Sequence, residues 1–390
     1  MRILMLHNRY LVRGGEDEST DLEAALLRQY GHDVDLMLFD NMDIERRNLI
    51  SVGLEAIWSH IAYSRVRKQL SEKEYDLVHI QNFFPLISPS VYYAAKASKK
   101  PVVQALRNYR LVCPNGLLFR AGNPCEDCLR EAVPWPGVAH RCYRSSLWGS
   151  IAVATMLTVH RMLGTWRNKV DGYYTLTEFA KSKLVKSGIL GEKIFIKPNL
   201  VHPDPTEGKG SREYGFLAGR LVEEKGIIVV LDAWSQCKDR IPLMIAGEGP
   251  LTAQVEAASQ RMPWITNLSK IPNVEVHDWM GSARFVVFPS ELYEAFSRVI
   301  VEAYAKGTPI IAANIGSTKE LVEDSRTGLL FEAGDSADLA RKVEWAWNHP
   351  KEMAAMGEQA RKDYEEKYSV KVNYERLMEI YHRAIVNNGA

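Results

Sequence analysis

The sequence lacks any apolar run of the roughly 18 to 20 residues that a membrane-spanning helix needs. Its closest approach, SLWGSIAVATMLTVHRMLGTW, is interrupted by His160 and Arg161. The first residues, MRILMLHNRY, contain only a short apolar stretch and are not followed by a small-residue cleavage site, so we do not expect a signal peptide. These absences predict a cytoplasmic protein and leave open a peripheral position at the inner face of the membrane.

Excess charge of either sign is also lacking. The 49 Lys and Arg residues nearly balance the 48 Asp and Glu residues, giving a net charge of +1, so we expect no nucleic-acid partner. Five cysteines are an odd number, which argues against a disulfide framework. The 390 residues, 46% of them hydrophobic, are enough for two globular domains.

Four of the cysteines are clustered with the spacing C-x11-C-x2-C-x13-C: Cys113, Cys125, Cys128 and Cys142. The closely spaced pair is a good chelating unit, and four thiolates would complete a tetrahedral zinc site. The alternatives are four reduced cysteines in a loop, or a redox-labile pair. Zinc in this insert (113–142) would be structural, because the pattern implies neither an open coordination position nor a catalytic carboxylate.

Short apolar runs alternate with longer amphipathic runs along most of the chain. This alternation is typical of a parallel β-sheet covered by helices on both faces. It is interrupted by HPDPTEGKGSRE (202–213), a predicted linker with two prolines and two glycines. We therefore predict two doubly wound α/β domains, 1–201 and 214–368, and a C-terminal helix over 369–390 that packs back toward the first domain.

Ligands of open parallel sheets bind beyond the carboxyl ends of the strands, so the residues that follow predicted strands are site candidates. In VRGGEDEST, Gly14 and Gly15 allow the backbone to approach a ligand before a helix begins. In GRLVEEKG, Arg220 and Lys225 offer two cations suited to a diphosphate. Gly247, in the GEGP turn, also permits close approach. The alternatives are ordinary turns and solvated surface charges.

Two glutamates, Glu294 and Glu302, lie eight positions apart in FPSELYEAFSRVIVEAYAKGTPII. A helix is predicted from about residue 295 to 306 and ended by Gly307. Eight helical residues give a rise of about 12 Å and a rotation of about 80°, so both carboxylates would face broadly one side. The positive end of the helix and its free N–H groups would lie between them and suit a pyrophosphate. Those N–H groups belong to Ala295, Phe296 and Ser297. The alternative is a capping glutamate plus a solvated one.

In order and spacing, these motifs resemble the retaining glycosyltransferases of GT-B fold in family 4. The resemblance rests on GRLVEEKG, GEGP, PSELYEAFSRVIVEAYAKGTPII and GSTKELVEDSRTGLLF, and RGGEDES, HIQNFFPLISPS and NYRLVCPNGLLF extend it over nearly the whole chain. It implies two Rossmann-like domains facing a central cleft. It also implies transfer of a hexose, with retention, from a nucleoside diphosphate sugar to a glycan or lipid-linked acceptor, with no metal needed for the chemistry.

The resemblance assigns roles to individual residues. Arg220 and Lys225 match the pair that holds the donor diphosphate, and Glu294 matches the residue that contacts hydroxyls of the transferred sugar. Glu302 matches the residue that binds the ribose. Gly14 and Gly15 match the glycine loop near the donor phosphate. On the acceptor side, the chain has Arg107, followed by Asn108, where many relatives have a histidine near the sugar.

Two departures from the family pattern leave other functions open. One is Arg107; the other is the segment 276–283, which lies between two predicted strands, NVEV and ARFVVF. This segment reads as shorter than the turn and helix that relatives use to hold the nucleotide base. They allow a catalytically impaired nucleotide-sugar-binding protein, and a GT-B epimerase or phosphorylase is a further alternative. Separately, the stretch 146–169 predicts a core helix or, alternatively, a helix at a membrane interface that meets a lipid-linked acceptor.

Overall fold

A computed structural model of the protein describes residues 1–208 and 212–389 and divides the chain into two compact units. Unit 1 comprises Met1–Leu118, Cys125–Leu200 and Lys371–Ala390, and unit 2 comprises Phe119–Pro124 and Val201–Val370. The predicted linker includes residues 209–211, which, like residue 390, lie outside the described part. Within that part, no helix has both the length and the hydropathy to cross a membrane.

Unit 1 is built on a six-stranded parallel sheet with the strand order β2-β1-β3-β4-β7-β8. The four central strands, β1, β3, β4 and β7, are buried along most of their length, as in a parallel sheet covered by helices on both faces. The strands are β1 (Arg2–Arg9), β2 (Asp33–Asp40), β3 (Leu77–Asn82), β4 (Val102–Leu106), β7 (Gly172–Thr175) and β8 (Ile194–Ile196). Between β4 and β7, β5 (Phe119–Arg120) and β6 (Asn123–Pro124) form a short antiparallel hairpin, which clusters with unit 2.

The helices between these strands cover the sheet. They are α1 (Gly15–Gln29), α2 (Leu49–Ile57), α3 (His60–Glu72), α4 (Ser90–Ala97), α5 (Trp135–Ala139), α6 (Leu147–Met162), α7 (Thr165–Asn168) and α8 (Glu178–Lys186). Helix α6 buries Val153, Met156 and Leu157. Its inner face therefore agrees with the interpretation of the stretch 146–169 as a core helix.

Unit 2 has its own six-stranded parallel sheet, with the order β11-β10-β9-β12-β13-β14. The strands are β9 (Gly215–Ala218), β10 (Leu243–Ala246), β11 (Ile265–Ser269), β12 (Phe285–Phe288), β13 (Ile310–Ala313) and β14 (Gly328–Phe331). Its helices are α9 (Ile227–Gln236), α10 (Thr252–Arg261), α11 (Asn273–Ser282), α12 (Arg298–Ala305), α13 (Thr318–Leu321), α14 (Ser336–Asn348) and α15 (Pro350–Asp363).

The last helix, α16 (Val370–Gly389), is part of unit 1. Leu377, Ile380 and Tyr381 are buried in the same apolar cluster as Ile3 and Met5 of β1. Alternating strands and helices around two parallel sheets confirm the predicted doubly wound α/β class. This arrangement follows from the alternation of short apolar runs with longer amphipathic runs in the sequence. The apolar runs form strands, and the amphipathic runs form the helices that cover both faces of the sheet.

Candidate functional site

Three of the predicted loops lie at one edge of the sheet of unit 2. Strands β10, β9 and β12 are neighbours and run in the same direction, so the loops that begin at Gly219, Gly247 and Pro289 leave from the same edge. This edge holds Arg220, Lys225 and Glu294, as the sequence pattern predicts. In parallel sheets such an edge is where ligands bind.

Glycines allow these loops to pack closely on one another. A Cβ atom on Gly247 would lie 1.9 Å from the carbonyl oxygen of Gly219, and one on Gly226 would lie 2.1 Å from that of Pro289. Gly226 also has a φ of 70°, a left-handed conformation that favours glycine. Gly247 was expected to let a ligand approach, but in this structure the atom that comes close to it belongs to the neighbouring loop.

Lys225 and Glu294 form an ion pair at this edge. The Lys225 Nζ donates to Oε1 of Glu294, and the Ser290 Oγ donates to the same oxygen at 2.8 Å. The side chains of Lys225 and Glu294 are 24% and 16% exposed, so both can be reached from solvent. Arg220, on the same loop as Lys225, is exposed. The site therefore presents two cations and one carboxylate that already contacts one of them.

The helix that follows Glu294 begins later than predicted. Helix α12 starts at Arg298, and the side chain of Ser297 caps it by accepting from the N–H of Ile300 at 3.4 Å. The predicted N–H groups of Ala295, Phe296 and Ser297 therefore precede the helix, and the 12 Å and 80° relation expected for the two glutamates does not apply. The physical reason is Ser297, whose side chain supplies the N-cap, so the helix begins only at the next residue.

Glu302 lies on α12 beside two basic side chains. Its Oε1 is 3.1 Å from an Nη of Arg298, one turn earlier, and 3.9 Å from the Nε2 of His277 on α11. Burial alone would raise the pKa of Glu302, but His277 and Arg298 hold it below its ordinary value. Glu302 is therefore ionised at neutral pH. The sequence analysis missed His277 because it reaches Glu302 only through the packing of α11 on α12.

The segment 276–283 is not shortened. The alternation in NVEV predicts a strand, but the strand before β12 is β11, further back along the chain. Between β11 and β12 lies α11, a full helix of ten residues. Pro272 stands just before its first turn, a position where its missing N–H costs nothing. The segment expected to hold the base is thus complete, which removes one of the two grounds for an impaired binding protein.

In unit 1, the glycine loop starts α1. Gly14 is the N-cap, and its N–H donates to Oδ2 of Asp17 at 3.0 Å. Apart from its chain neighbours and its own helix backbone, no atom of the described residues lies within 4 Å of a Cβ built on Gly15, so they leave open the space beside this residue. Asp17 also contacts Nε2 of His7 at 2.8 Å, which anchors the loop to β1.

Arg107 does not lie on the surface of unit 1, where a contact with an acceptor was expected. It follows β4 and is only 8% exposed, and its guanidinium points inward. One Nη is 3.0 Å from Oε2 of Glu23 and also donates to Tyr174 and Gln81. Asn108 is half-buried, and its amide donates to Glu16 at 2.7 Å.

Arg107 belongs to a buried cluster that the sequence analysis missed. Lys197, which follows β8, is 2.8 Å from Oε2 of Glu23, and His79 on β3 is 3.6 Å from Oε1. The side chains of Glu23, Lys197 and His79 are fully buried. Two signals were present in the sequence: a lysine directly after the apolar IFI of a strand, and a glutamate on the buried face of α1.

All four cysteines of the predicted zinc site are free thiols. In the described residues, no three His, Cys, Asp or Glu side chains form a group that could hold a metal ion. Burial, with smaller contributions from Cys113, Cys142 and Cys125, raises the pKa of the Cys128 thiol to about 12. At neutral pH this thiol is therefore protonated.

Comparison with known proteins gives a family match for unit 2 and a shared fold for nearly the whole chain. Residues 204–363 match the family model described as glycosyl transferases group 1. The match covers most of unit 2 but less than half of the chain, so unit 2 is similar to the domain that this family model describes. The matched residues include the edge loops of Lys225 and Glu294 and the Glu302 cluster.

The sequence relatives align with only part of their own lengths. An uncharacterized glycosyltransferase of Methanocaldococcus jannaschii is 26% identical over 242 residues, which cover 58% of this chain and 68% of that protein. Phosphatidyl-myo-inositol mannosyltransferase of Mycobacterium leprae is 29% identical over 197 residues, 48% of this chain and 52% of that protein. This chain therefore spans about half of the mannosyltransferase.

The fold is shared over nearly the whole chain with solved structures. Anabaena Alr3699/HepE, crystallised in complex with UDP-glucose, superposes with a TM-score of 0.70 and 17% identity, covering 98% of this chain and all of that one (100%). The lipopolysaccharide outer core galactosyltransferase WaaB superposes with a TM-score of 0.66 and 14% identity, covering 98% and 99% of the two chains. The chain has the GT-B fold.

Proposed function

We propose that the protein is a retaining hexosyltransferase that moves a sugar from a nucleoside diphosphate sugar to a hydroxyl of a glycan or lipid-linked acceptor. The observation that carries the proposal is the ion pair of Lys225 and Glu294 at the ligand-binding edge of unit 2, with Arg220 on the same loop. The relatives support it, since one is named a mannosyltransferase and HepE was crystallised with UDP-glucose.

When a donor binds, its diphosphate would replace Glu294 as the partner of Lys225. Two phosphates carry more charge than one carboxylate, so they would draw Lys225 and Arg220 toward them. Glu294, still held by Ser290, would then be able to accept a hydrogen bond from a hydroxyl of the transferred sugar. The two cations would stabilise the charge that develops on the leaving phosphate, which is a role that needs no metal ion.

Glu302 would bind the ribose of the donor. A carboxylate kept ionised by Arg298 and His277 can accept hydrogen bonds from both hydroxyls of a ribose. The helical α11 supplies His277 to this position. The same packing fixes Glu302 before a nucleotide arrives, which lowers the cost of ordering the site.

Binding and turnover assays test the proposal directly. Isothermal titration calorimetry with UDP, GDP and ADP is expected to reveal tight binding of one nucleotide. The matching sugar donors should then be hydrolysed slowly in the absence of an acceptor. Binding of none of the three nucleotides would overturn the proposal, and interconversion of donor sugars without an acceptor would favour an epimerase.

Replacing the two glutamates is expected to affect different quantities: nucleotide affinity for Glu302 and the rate of donor hydrolysis for Glu294. Glu302→Ala should weaken nucleotide binding by about 10- to 100-fold, because a hydrogen bond to a charged group contributes roughly 1.5 to 3 kcal/mol. Glu294→Ala should leave nucleotide affinity within a few-fold and mainly lower the rate of donor hydrolysis. Calorimetry and hydrolysis rates separate the two effects.

Glu352→Ala serves as the matched control, since Glu352 is an exposed glutamate on α15. It should change neither quantity. Equal and negligible effects of Glu302→Ala and Glu294→Ala would contradict the assignment of both residues.

The structural zinc of the four cysteines stays a prediction. We propose to test it by measuring zinc in the purified protein by mass spectrometry. One zinc ion per chain, lost in the Cys125→Ser/Cys128→Ser variant, is expected if the thiolates bind it. A chain without zinc that keeps four titratable thiols would make the insert a metal-free loop.

A lipid-linked acceptor would place the enzyme at the inner face of a membrane. We therefore propose two alternatives: a lipid-linked acceptor, with the enzyme at the membrane surface, or a soluble glycan acceptor.

A further inference from the structure

A set of large apolar side chains is exposed on one part of unit 1, which we call the α2–α6 patch. Its members are Leu49, Ile50 and Leu54 of α2, Trp135 of α5, and Leu147 and Trp148 of α6, with exposed fractions of 77%, 74%, 63%, 59%, 39% and 77%. Single exposed apolar residues are common on protein surfaces, but a group of this size marks a surface of interaction.

The members of the α2–α6 patch lie on helices that pack together. A Cβ atom on Gly53 of α2 would lie 3.4 Å from the Cβ of Ala152 on α6, so the two helices meet closely there. Trp148 is one helical turn before Ala152 and therefore lies on the same side of α6. Helix α5, which begins at Trp135, packs on α6 as well. The α2 and α6 members of the patch thus lie on adjacent helices, and Trp135 lies on a third helix that packs on α6.

The core of unit 1 does not need these side chains. Helix α2 buries Val52 and Ala56 on its inner face while Leu49, Ile50 and Leu54 face solvent, so it is apolar on both sides. A helix in water normally carries polar residues on its outer face. An apolar outer face on an otherwise well-packed helix indicates that something apolar covers it.

The charges on the α5–α6 side of the patch are basic. The sequence contains no Asp or Glu from residue 132 to 170, a stretch that holds five Arg and Lys residues. Two of these, Arg141 and Arg144, are exposed just before α6. The single acidic residue of α2, Glu55, is paired with Arg47 at 2.7 Å. Exposed Asp43 and Glu45 precede α2, so the basic character is strongest on the α5–α6 side.

We propose that the α2–α6 patch binds the surface of a bilayer that carries anionic lipid headgroups. Tryptophan side chains suit the boundary between headgroups and acyl chains, and the leucine and isoleucine side chains suit the acyl region. The exposed arginines complement the negative charge of the headgroups. A second copy of the chain fits less well, because a twofold interface would bring the basic residues of both copies together.

Vesicle binding tests this inference without a donor or an acceptor, so its result is independent of the proposed transferase activity. The purified full chain would be mixed with phosphatidylcholine vesicles, with and without phosphatidylglycerol, and separated by flotation. The wild type is expected to float with the vesicles that contain phosphatidylglycerol and to stay in solution with the others. Added salt should reduce the floated fraction, because ions screen the headgroup charge.

Two variants and a matched control make the test specific. Ile50→Ser/Trp148→Ser is expected to lower the vesicle association constant by about tenfold or more, since both side chains lose apolar area available for burial. Arg141→Ser/Arg144→Ser should abolish the difference between the two kinds of vesicle. Val274→Ser/Val386→Ser removes two apolar side chains that are 73% and 71% exposed outside the patch, and it should bind like the wild type.

Three results would overturn the inference. The first is a wild type that binds neither kind of vesicle, and the second is a patch variant that binds as tightly as the control. The third is a wild type that forms dimers, dissociated by Ile50→Ser/Trp148→Ser, without binding vesicles, which would assign the patch to a second copy of the chain. Thermal melts of each variant identify any loss of folding.

Discussion

Replacing Glu23 by alanine is expected to lower the free energy of unfolding by about 3 to 5 kcal/mol, the usual cost of removing one partner from a buried ion pair. Glu23 has no exposed surface, and its carboxylate accepts hydrogen bonds from Lys197, Arg107 and Tyr174. The variant would leave two buried cations without the anion that balances them. The cost comes from the desolvation of these two cations, which the Glu23 carboxylate offsets in the wild type.

The protonation states in this cluster decide the size of the effect. Burial would raise the pKa of Glu23, but Lys197 and Arg107 hold it far below its ordinary value, so it is ionised at neutral pH. Burial also lowers the pKa of His79 to about 4, so His79 is neutral and adds no third cation. Burial lowers the pKa of Lys197 as well. In the variant, Lys197 can lose its proton more readily, and this limits the loss of stability.

Denaturant unfolding of unit 1 measures the effect, with two comparisons. Asp21 lies on the same helix as Glu23 and forms a solvent-exposed ion pair with Arg13. Asp21→Ala breaks this pair and should lower the free energy of unfolding by less than about 1 kcal/mol. Glu23→Leu/Lys197→Met replaces both charges by apolar groups and should recover much of the stability lost in Glu23→Ala. A loss in Glu23→Ala no larger than that in Asp21→Ala would mean that the buried charges are balanced in another way.

The buried cluster also marks the limit of what the sequence could reveal. Its residues come from β3 and β7, from the positions directly after β4 and β8, and from α1, and these four strands are adjacent in the sheet. Glu23 and Lys197 are 174 positions apart in the chain. Each looks unremarkable by itself, because a lysine or glutamate is usually on the surface. Only the strand order of the folded sheet brings them together, and local patterns do not specify that order.

Local patterns predicted the strands and the loops after them well, because a buried parallel strand is a short apolar run with few alternatives. They failed where a pattern was too short to decide. The alternation in NVEV fits a strand over four residues, yet these residues begin α11. That error hid His277, and with it the reason that Glu302 stays ionised. The second error is the start of α12: the pattern predicts a helix from about residue 295, but Ser297 is the cap and the helix begins at Arg298.

Replacing Lys225 by alanine is expected to lower the rate of donor hydrolysis or transfer by about 10²- to 10³-fold, the usual effect of removing one group that stabilises charge in a transition state. Lys225 contacts Glu294 at the ligand-binding edge of the sheet. In the proposed reaction it holds the diphosphate, whose negative charge grows as the sugar leaves. The stability of the fold should change little, because the pair is partly exposed and such pairs contribute only about 0 to 1 kcal/mol.

The comparison of nucleotide affinity with turnover shows whether Lys225 acts in this way. A nucleoside diphosphate carries its phosphate charge already in the ground state, so Lys225→Ala should also weaken nucleotide binding, but by less than it slows turnover. Equal losses would mean that Lys225 binds the donor without assisting departure of the leaving group. The control is Lys351→Ala, which removes an exposed lysine of α15.

Lys225→Arg separates charge from shape at the same position. A guanidinium keeps the positive charge but presents a planar fork in place of a compact ammonium, so it can no longer sit on one oxygen of Glu294 in the same way. We expect turnover between those of Lys225→Ala and the wild type, with nucleotide affinity close to the wild type. Full activity in Lys225→Ala would remove Lys225 from the site, and the exposed Arg220 would then be the cation to replace next.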